Sequence, residues 1–160
     1  MLKQTKAVLA AVAGLSLILL GSGAAQAADN WVGTWKQNVA KSKYSPGPAP
    51  KSSLAKTEAW EGGIRTVTDG VGADDKATHT EFSAKFDGKD YPYKGSLAYD
   101  TISLKRIDDN TYEASLKGKN KATMTSTNVV SKDGKTRTQT QTGTDAQGRA
   151  ISNTVVSDRQ

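Results

Sequence analysis

Beyond Pro50 the chain is broken at short intervals by turn-forming residues. They are Gly62-Gly63, Asp69 to Lys76, Asp87-Gly88-Lys89, Asp108-Asp109-Asn110, Gly118 to Lys121, Lys132-Asp133-Gly134-Lys135 and Asp145-Ala146-Gln147-Gly148. Glycine reaches positive backbone angles without a Cβ clash, and Asp-Gly is among the strongest short-range hairpin signals. The segments left between these turns show no convincing 3.6-residue apolar spacing beyond a turn or two and are rich in threonine, a β-branched residue. This punctuation allows little except successive antiparallel strands joined by tight connections.

The segments themselves agree. Leu54 to Glu61, Ile64 to Thr68, Thr78 to Phe86, Tyr91 to Tyr93, Thr101 to Ile107, Tyr112 to Leu116, Ala122 to Ser131, Thr136 to Thr142 and Ala150 to Val156 read as strands. Phe82, Ala84 and Phe86 share one face, as do Tyr112, Ala114 and Leu116, while Ile102 and Leu104 lie out of phase with Ile107. A short helix is expected between Val39 and Tyr44. The fold class is therefore all-β: one antiparallel up-and-down barrel of about 8–10 strands, with an open sheet or small sandwich as the alternative. Closure leaves no strand with unpaired backbone. Three of the four prolines, Pro46, Pro48 and Pro50, form a connector expected to cross one end of the barrel, and Pro92 marks a strand margin or bulge.

The N-terminus carries an export leader. Lys3 and Lys6 precede an apolar run from Ala7 to Leu20, and Ala25-Gln26-Ala27 fits a small-x-small cleavage site. The run is about 14 residues, short of the roughly 20 that cross a bilayer as a helix. Cleavage near Ala27 leaves residues 28–160 as one domain in the periplasm or outside the cell, with no stable membrane insertion expected. The chain has no cysteine, so packing and strand pairing must hold it together without disulfides. The formal charge of +6 includes the two leader lysines. The remainder is a solubility-level charge, and no nucleic-acid partner is expected.

Catalytic chemistry finds little material. One histidine, His79, and no cysteine cannot make a usual zinc or copper site. Neither a phosphate loop nor a nucleophile elbow is present. The Asp-rich turns lack the regular ligand alternation of a calcium loop. The expectation is a non-enzymatic protein without metal or cofactor. Lys117, Lys119 and Lys121 form a local positive tip.

The late strands pose a question of polarity. Thr136, Thr138, Thr140 and Thr142 line one side of a strand, and Arg137, Gln139 and Gln141 line the other. Across the Asp-Gly turn Thr123, Thr125 and Thr127 oppose Met124, Ser126, Asn128 and Val130. A dry core would place Val, Ile and Leu on one face. Threonine methyls and hydroxyls imply either a partly wet interior or strands that twist to show both faces to solvent.

At Gly33-Thr34-Trp35-Lys36 the chain resembles the calycin superfamily, the lipocalins and fatty-acid-binding proteins. Their first strand carries a Gly-x-Trp step whose tryptophan plugs one end of an antiparallel barrel. The nearest likeness is to small exported bacterial lipocalin-like proteins, through Trp31 to Trp35, Asn38-Val39-Ala40-Lys41-Ser42 and Val130 to Lys135. The resemblance implies that Gly33 and Trp35 close the barrel and that a basic residue near the last strand, Arg149 or Arg159, packs over the tryptophan. Two features depart from it. The proline-rich connector replaces the helical lid of fatty-acid-binding proteins, and Ile151 to Val156 lacks their carboxylate-gripping Arg-x-Tyr pair.

The functional expectation is a monomeric barrel that binds a small apolar or amphipathic, lipid-like molecule in an interior cavity. The candidate ligand contacts are Trp60, Phe82, Phe86, Tyr91, Tyr93 and Tyr112. The alternative is a structural or protein-interaction module of the cell envelope with a filled core. Tyr91 and Tyr93 are the stronger candidates, because a phenol combines apolar area with a polar handle.

Overall fold

Ten strands form where alternation and turn chemistry place them. A computed structural model describes residues 29–160, and the expected leader at 1–27 lies outside the described residues. The strands are β1 (Gly33–Gln37), β2 (Ser52–Trp60), β3 (Gly63–Val71), β4 (Ala77–Lys85), β5 (Tyr91–Lys94), β6 (Thr101–Arg106), β7 (Thr111–Lys117), β8 (Thr123–Val130), β9 (Thr136–Thr144) and β10 (Ala150–Arg159). Each is antiparallel to its sequence neighbour, and β1 pairs with β10, so the sheet closes into an up-and-down barrel. Neither the open sheet nor the sandwich is formed. The helix expected between Val39 and Tyr44 is one 3-10 turn, Val39–Lys41, whose Lys41 N–H donates to the Asn38 side chain at 3.2 Å.

Some turn positions differ from expectation. The first hairpin turns on Glu61-Gly62, at φ 40° and 81°, and Gly63 already pairs with Trp60. A Cβ on Gly63 would collide with the backbone of Ala84 and Lys85, so close strand approach, not turn geometry, requires glycine there. The segment Asp69 to Val71 continues β3, which leaves only residues 72–76 as the turn.

Antiparallel alternation gives the barrel two unlike ends. The β2–β3, β4–β5, β6–β7 and β8–β9 connections share one end with the start of β1 and the close of β10. That end is shut by aromatic packing. Trp31 and Trp35 are almost fully buried. The Trp31 ring meets Phe86 at 5.4 Å and Tyr112 at 5.3 Å, both edge-on. Ile64 and Leu104, also sealed from solvent, continue this core, and each such buried side chain contributes about 1.5–3 kcal/mol.

Of the two candidate basic residues, Arg159 covers Trp35. Its guanidinium lies 4.2 Å from the ring centroid and donates to the carbonyls of Val32 and Gly134 at 2.7 and 2.6 Å, and also to that of Asn30. Gly33, at φ 142°, leaves the room this arginine fills, since a Cβ would meet its guanidinium. Arg149 instead pairs with Asp145 inside the β9–β10 turn.

The proline-rich connector runs at the other end. Lys43 and Thr154 exchange two backbone hydrogen bonds of 2.7 and 2.8 Å, and the Ser152 N–H donates to the Ser45 carbonyl at 2.8 Å. Residues 43–45 thereby continue the pairing to β10 that β1 began.

Candidate functional site

Strand period two sends alternate residues inward, and the barrel is too wide for them to fill. A cavity of about 300 Å³ remains, at the lower end of small-molecule pockets. One wall is hydroxyl-rich: Thr66 and Thr68 of β3 with Thr78 and Thr80 of β4. The facing wall, from β8 and β9, presents Ser126, Asn128, Arg137, Gln139 and Gln141. Apolar surface comes between them from Phe82, Tyr93, Ile102, Leu116, Met124 and Val155. The base is Trp35 and Tyr112. Tyr44, Pro50 and Ser53 line the cavity at the connector end, beside the exposed Ser52 and Thr78.

Several polar groups in this space are partnered. Gln139 donates to Asn128 at 2.6 Å, and Asn128 donates to the Ser126 carbonyl at 3.0 Å. Gln37 donates to the Tyr44 hydroxyl at 2.9 Å. Just below, the Thr57 and Thr66 hydroxyls pair at 3.1 Å.

Two lining residues keep a buried atom without a partner, Gln37 at its Oε1 and Arg137. Arg137 is only 4% exposed and, among the described residues, is the one charged residue lining the cavity. Its Nε is buried without a hydrogen-bond partner. Its guanidinium lies 5.3 Å from the centroid of Trp35, the indole that Arg159 covers as well. Burial pushes its pKa below the ordinary value, the Tyr112 phenol counters this, and Arg159 adds to the depression. An arginine does not give up its proton under such pressure, so a positive charge stays at the base of the cavity. Burial also holds the Tyr112 and Tyr93 phenols above their usual pKa.

The six aromatic candidates fall into two groups. Phe82, Tyr93 and Tyr112 line the cavity, the first two packed at 5.9 Å. Trp60, Phe86 and Tyr91 do not line it. Phe86 belongs to the Trp31–Tyr112 cluster at the closed end. Trp60 meets Tyr91 edge-on at 6.4 Å with Lys85 over its ring, and the Tyr91 hydroxyl donates to Asp87 at 2.9 Å. Elsewhere, His79 sits on the outer surface 2.6 Å from Asp69, and in the positive tip Lys117 pairs with Asp90 at 2.8 Å.

The polar wall was visible in the sequence as the face opposite the late threonines. What the sequence left open was which face turns inward. In the structure Met124, Ser126, Asn128, Arg137, Gln139 and Gln141 line the cavity, and the threonines of β8 and β9 do not. The threonines that line it come instead from β3 and β4. No helix among the described residues is long and apolar enough to cross a membrane. The sequence matches no protein-family model and no curated protein.

Proposed function

We propose that this protein is an exported, calycin-like carrier that holds a small amphipathic molecule inside its barrel without transforming it. The observation that carries this reading is the interior cavity of about 300 Å³, half walled by hydroxyls and amides and half by apolar side chains. A body that served only as a scaffold gains most from a filled interior, because each unfilled volume forfeits contact energy. A ligand with one polar and one apolar portion matches both walls. The Gly33–Trp35–Arg159 arrangement supports kinship with calycins, whose barrels close in the same way.

The test is equilibrium binding to purified, delipidated protein. N-phenyl-1-naphthylamine, a neutral polarity-sensitive dye, is expected to gain fluorescence with one saturable site and to be displaced by lipid extracted from the native source. A dye signal that stays flat across a panel of neutral and charged probes overturns the reading.

A further inference from the structure

We infer that, whatever the cavity holds, the open end of the barrel is a docking face for an anionic phospholipid surface: Leu97 enters the surface and the lysines around it meet the headgroups. Opposite the aromatic closure lie the proline-rich connector and the β3–β4, β5–β6, β7–β8 and β9–β10 connections. Lys41 and Lys43 of the connector and Lys119 and Lys121 of the β7–β8 connection are exposed there, and none has an ion-pair partner among the described residues. The acids of these connections are largely engaged: Asp75 faces Lys51, Asp74 faces Lys76 and Asp145 faces Arg149, which leaves Asp100. The closed end has the opposite balance. Its turns carry Asp87, Asp108, Asp109 and Asp133 among six acids, against Lys89, Lys132 and Lys135. The charge is thus polarised along the barrel axis, so a negative surface attracts the open end and repels the other.

Leu97, in the β5–β6 connection, is fully exposed. The backbone beneath it is well anchored. The Ser96 hydroxyl accepts from the N–H groups of Ala98 and Tyr99 at 3.2 and 3.1 Å, and the buried Tyr99 donates to the Thr144 carbonyl at 3.3 Å. A Cβ on Gly118 would strike the backbone of Ala98 and Tyr99, so the leucine loop and the lysine loop touch. Asn120 and Lys121 hold left-handed backbone, at φ 54° and 61°. Asparagine adopts that conformation readily, whereas lysine does so at a cost that glycine would avoid. The turn bears this cost and thereby carries a second charge beside Lys119. Val39, 40% exposed next to Lys41 in sequence, repeats the apolar-basic combination on the same end. A soluble polyanion would engage only the lysines. A bilayer surface engages both: each lysine near anionic headgroups strengthens binding about fivefold, and an inserted leucine about tenfold or more. Docking of this kind is peripheral and needs no spanning segment.

The experiment is flotation of the purified protein with vesicles of phosphatidylcholine alone or with about one third phosphatidylglycerol. Wild type is expected to bind the mixed vesicles at least about tenfold more tightly and to be released by high salt. Lys119→Gln combined with Lys121→Gln should weaken binding at least about tenfold, and Leu97→Ser about tenfold. All variants share one N-terminus, so residues 1–28 cannot produce a difference among them. Leu97→Trp should show blue-shifted emission, relative to wild type, when mixed vesicles are added. Equal binding to both vesicle types overturns the assignment, and this comparison needs no variant. Wild-type affinity in Leu97→Ser also overturns it. If heparin binds while mixed vesicles leave the Leu97→Trp emission unshifted, the partner is a soluble polyanion and the lipid surface is excluded. None of these measurements uses a cavity ligand, so a flat N-phenyl-1-naphthylamine response would remove the carrier reading and leave the docking face standing.

Discussion

Arg137 and Arg159 address the same indole: their guanidinium carbons lie 5.3 and 4.2 Å from the centroid of Trp35. Arg137 does so from the cavity. Arg159 does so while tied to the carbonyls of Asn30, Val32 and Gly134. Two residues of one type thus have opposite energetic roles, because only one has its donors met.

Arg159 therefore acts as a clasp. Arg159→Met should lower the unfolding free energy by about 2–4 kcal/mol, from charged hydrogen bonds to carbonyls and lost stacking. Arg159→Lys should recover less than half, because an ammonium lacks the planar fork. Gly33→Ala should destabilise comparably by displacing the same guanidinium. Urea denaturation followed by tryptophan fluorescence reads all three.

Arg137 predicts the reverse sign. Without ligand, Arg137→Met should raise the unfolding free energy by about 1–3 kcal/mol, as when other buried charges give way to apolar residues of similar volume. A decrease beyond about 1 kcal/mol would show that stacking on Trp35 outweighs the cost of burying the charge.

Ala114 lies on β7, is nearly buried and borders the cavity. Ala114→Phe should place its ring in the empty space, reduce dye affinity at least tenfold and leave stability within about 1.5 kcal/mol, since filling a void avoids the strain of overpacking. Titration calorimetry and thermal melting are the paired measurements. Unchanged dye affinity in a folded variant would mean the probe binds elsewhere.

Stability should fall at both extremes of pH. Burial raises the Tyr93 and Tyr112 phenols above 10.0, so their contribution is complete below about pH 10 and is lost as pH rises through the folded values. Because the Arg137 charge pulls Tyr112 down, Arg137→Met should delay ionisation of the Tyr112 phenol in an ultraviolet titration. On the acid side, the Ser131 hydroxyl lowers Asp133, and the N–H groups of Lys89 and Asn110 lower Asp87 and Asp108. Their contribution is present above about pH 4 and is lost as pH falls through the lower folded values.

Much of the architecture was legible in the residues. Tyr112, Ala114 and Leu116 share a phase and are all buried, and Ile107 is exposed where Ile102 and Leu104 are not. The site was harder to read. On β9 both faces are polar, so alternation separates Arg137 from Thr136 and Thr138 without choosing the inward set. That choice follows from register: Arg137 pairs with Val130 on β8 and Ser157 on β10, both buried. The aromatic candidates divided for a related reason. Composition names rings suited to a pocket, but Phe86 and Tyr91 lie near the closed end, where packing absorbs them.

The pairing of Lys43 and Ser45 with β10 has a further consequence. Strand β1 covers only Ser157 to Arg159. Above that, the backbone of Ser152 and Thr154 would face outward as a bare template for a second chain, the usual seed of aggregation. Three residues outside any strand occupy it. Resistance to self-association at that seam thus resides in the loop and not in the sheet, so changes near Pro46 would surface first as lost solubility during long storage, before any loss of fold.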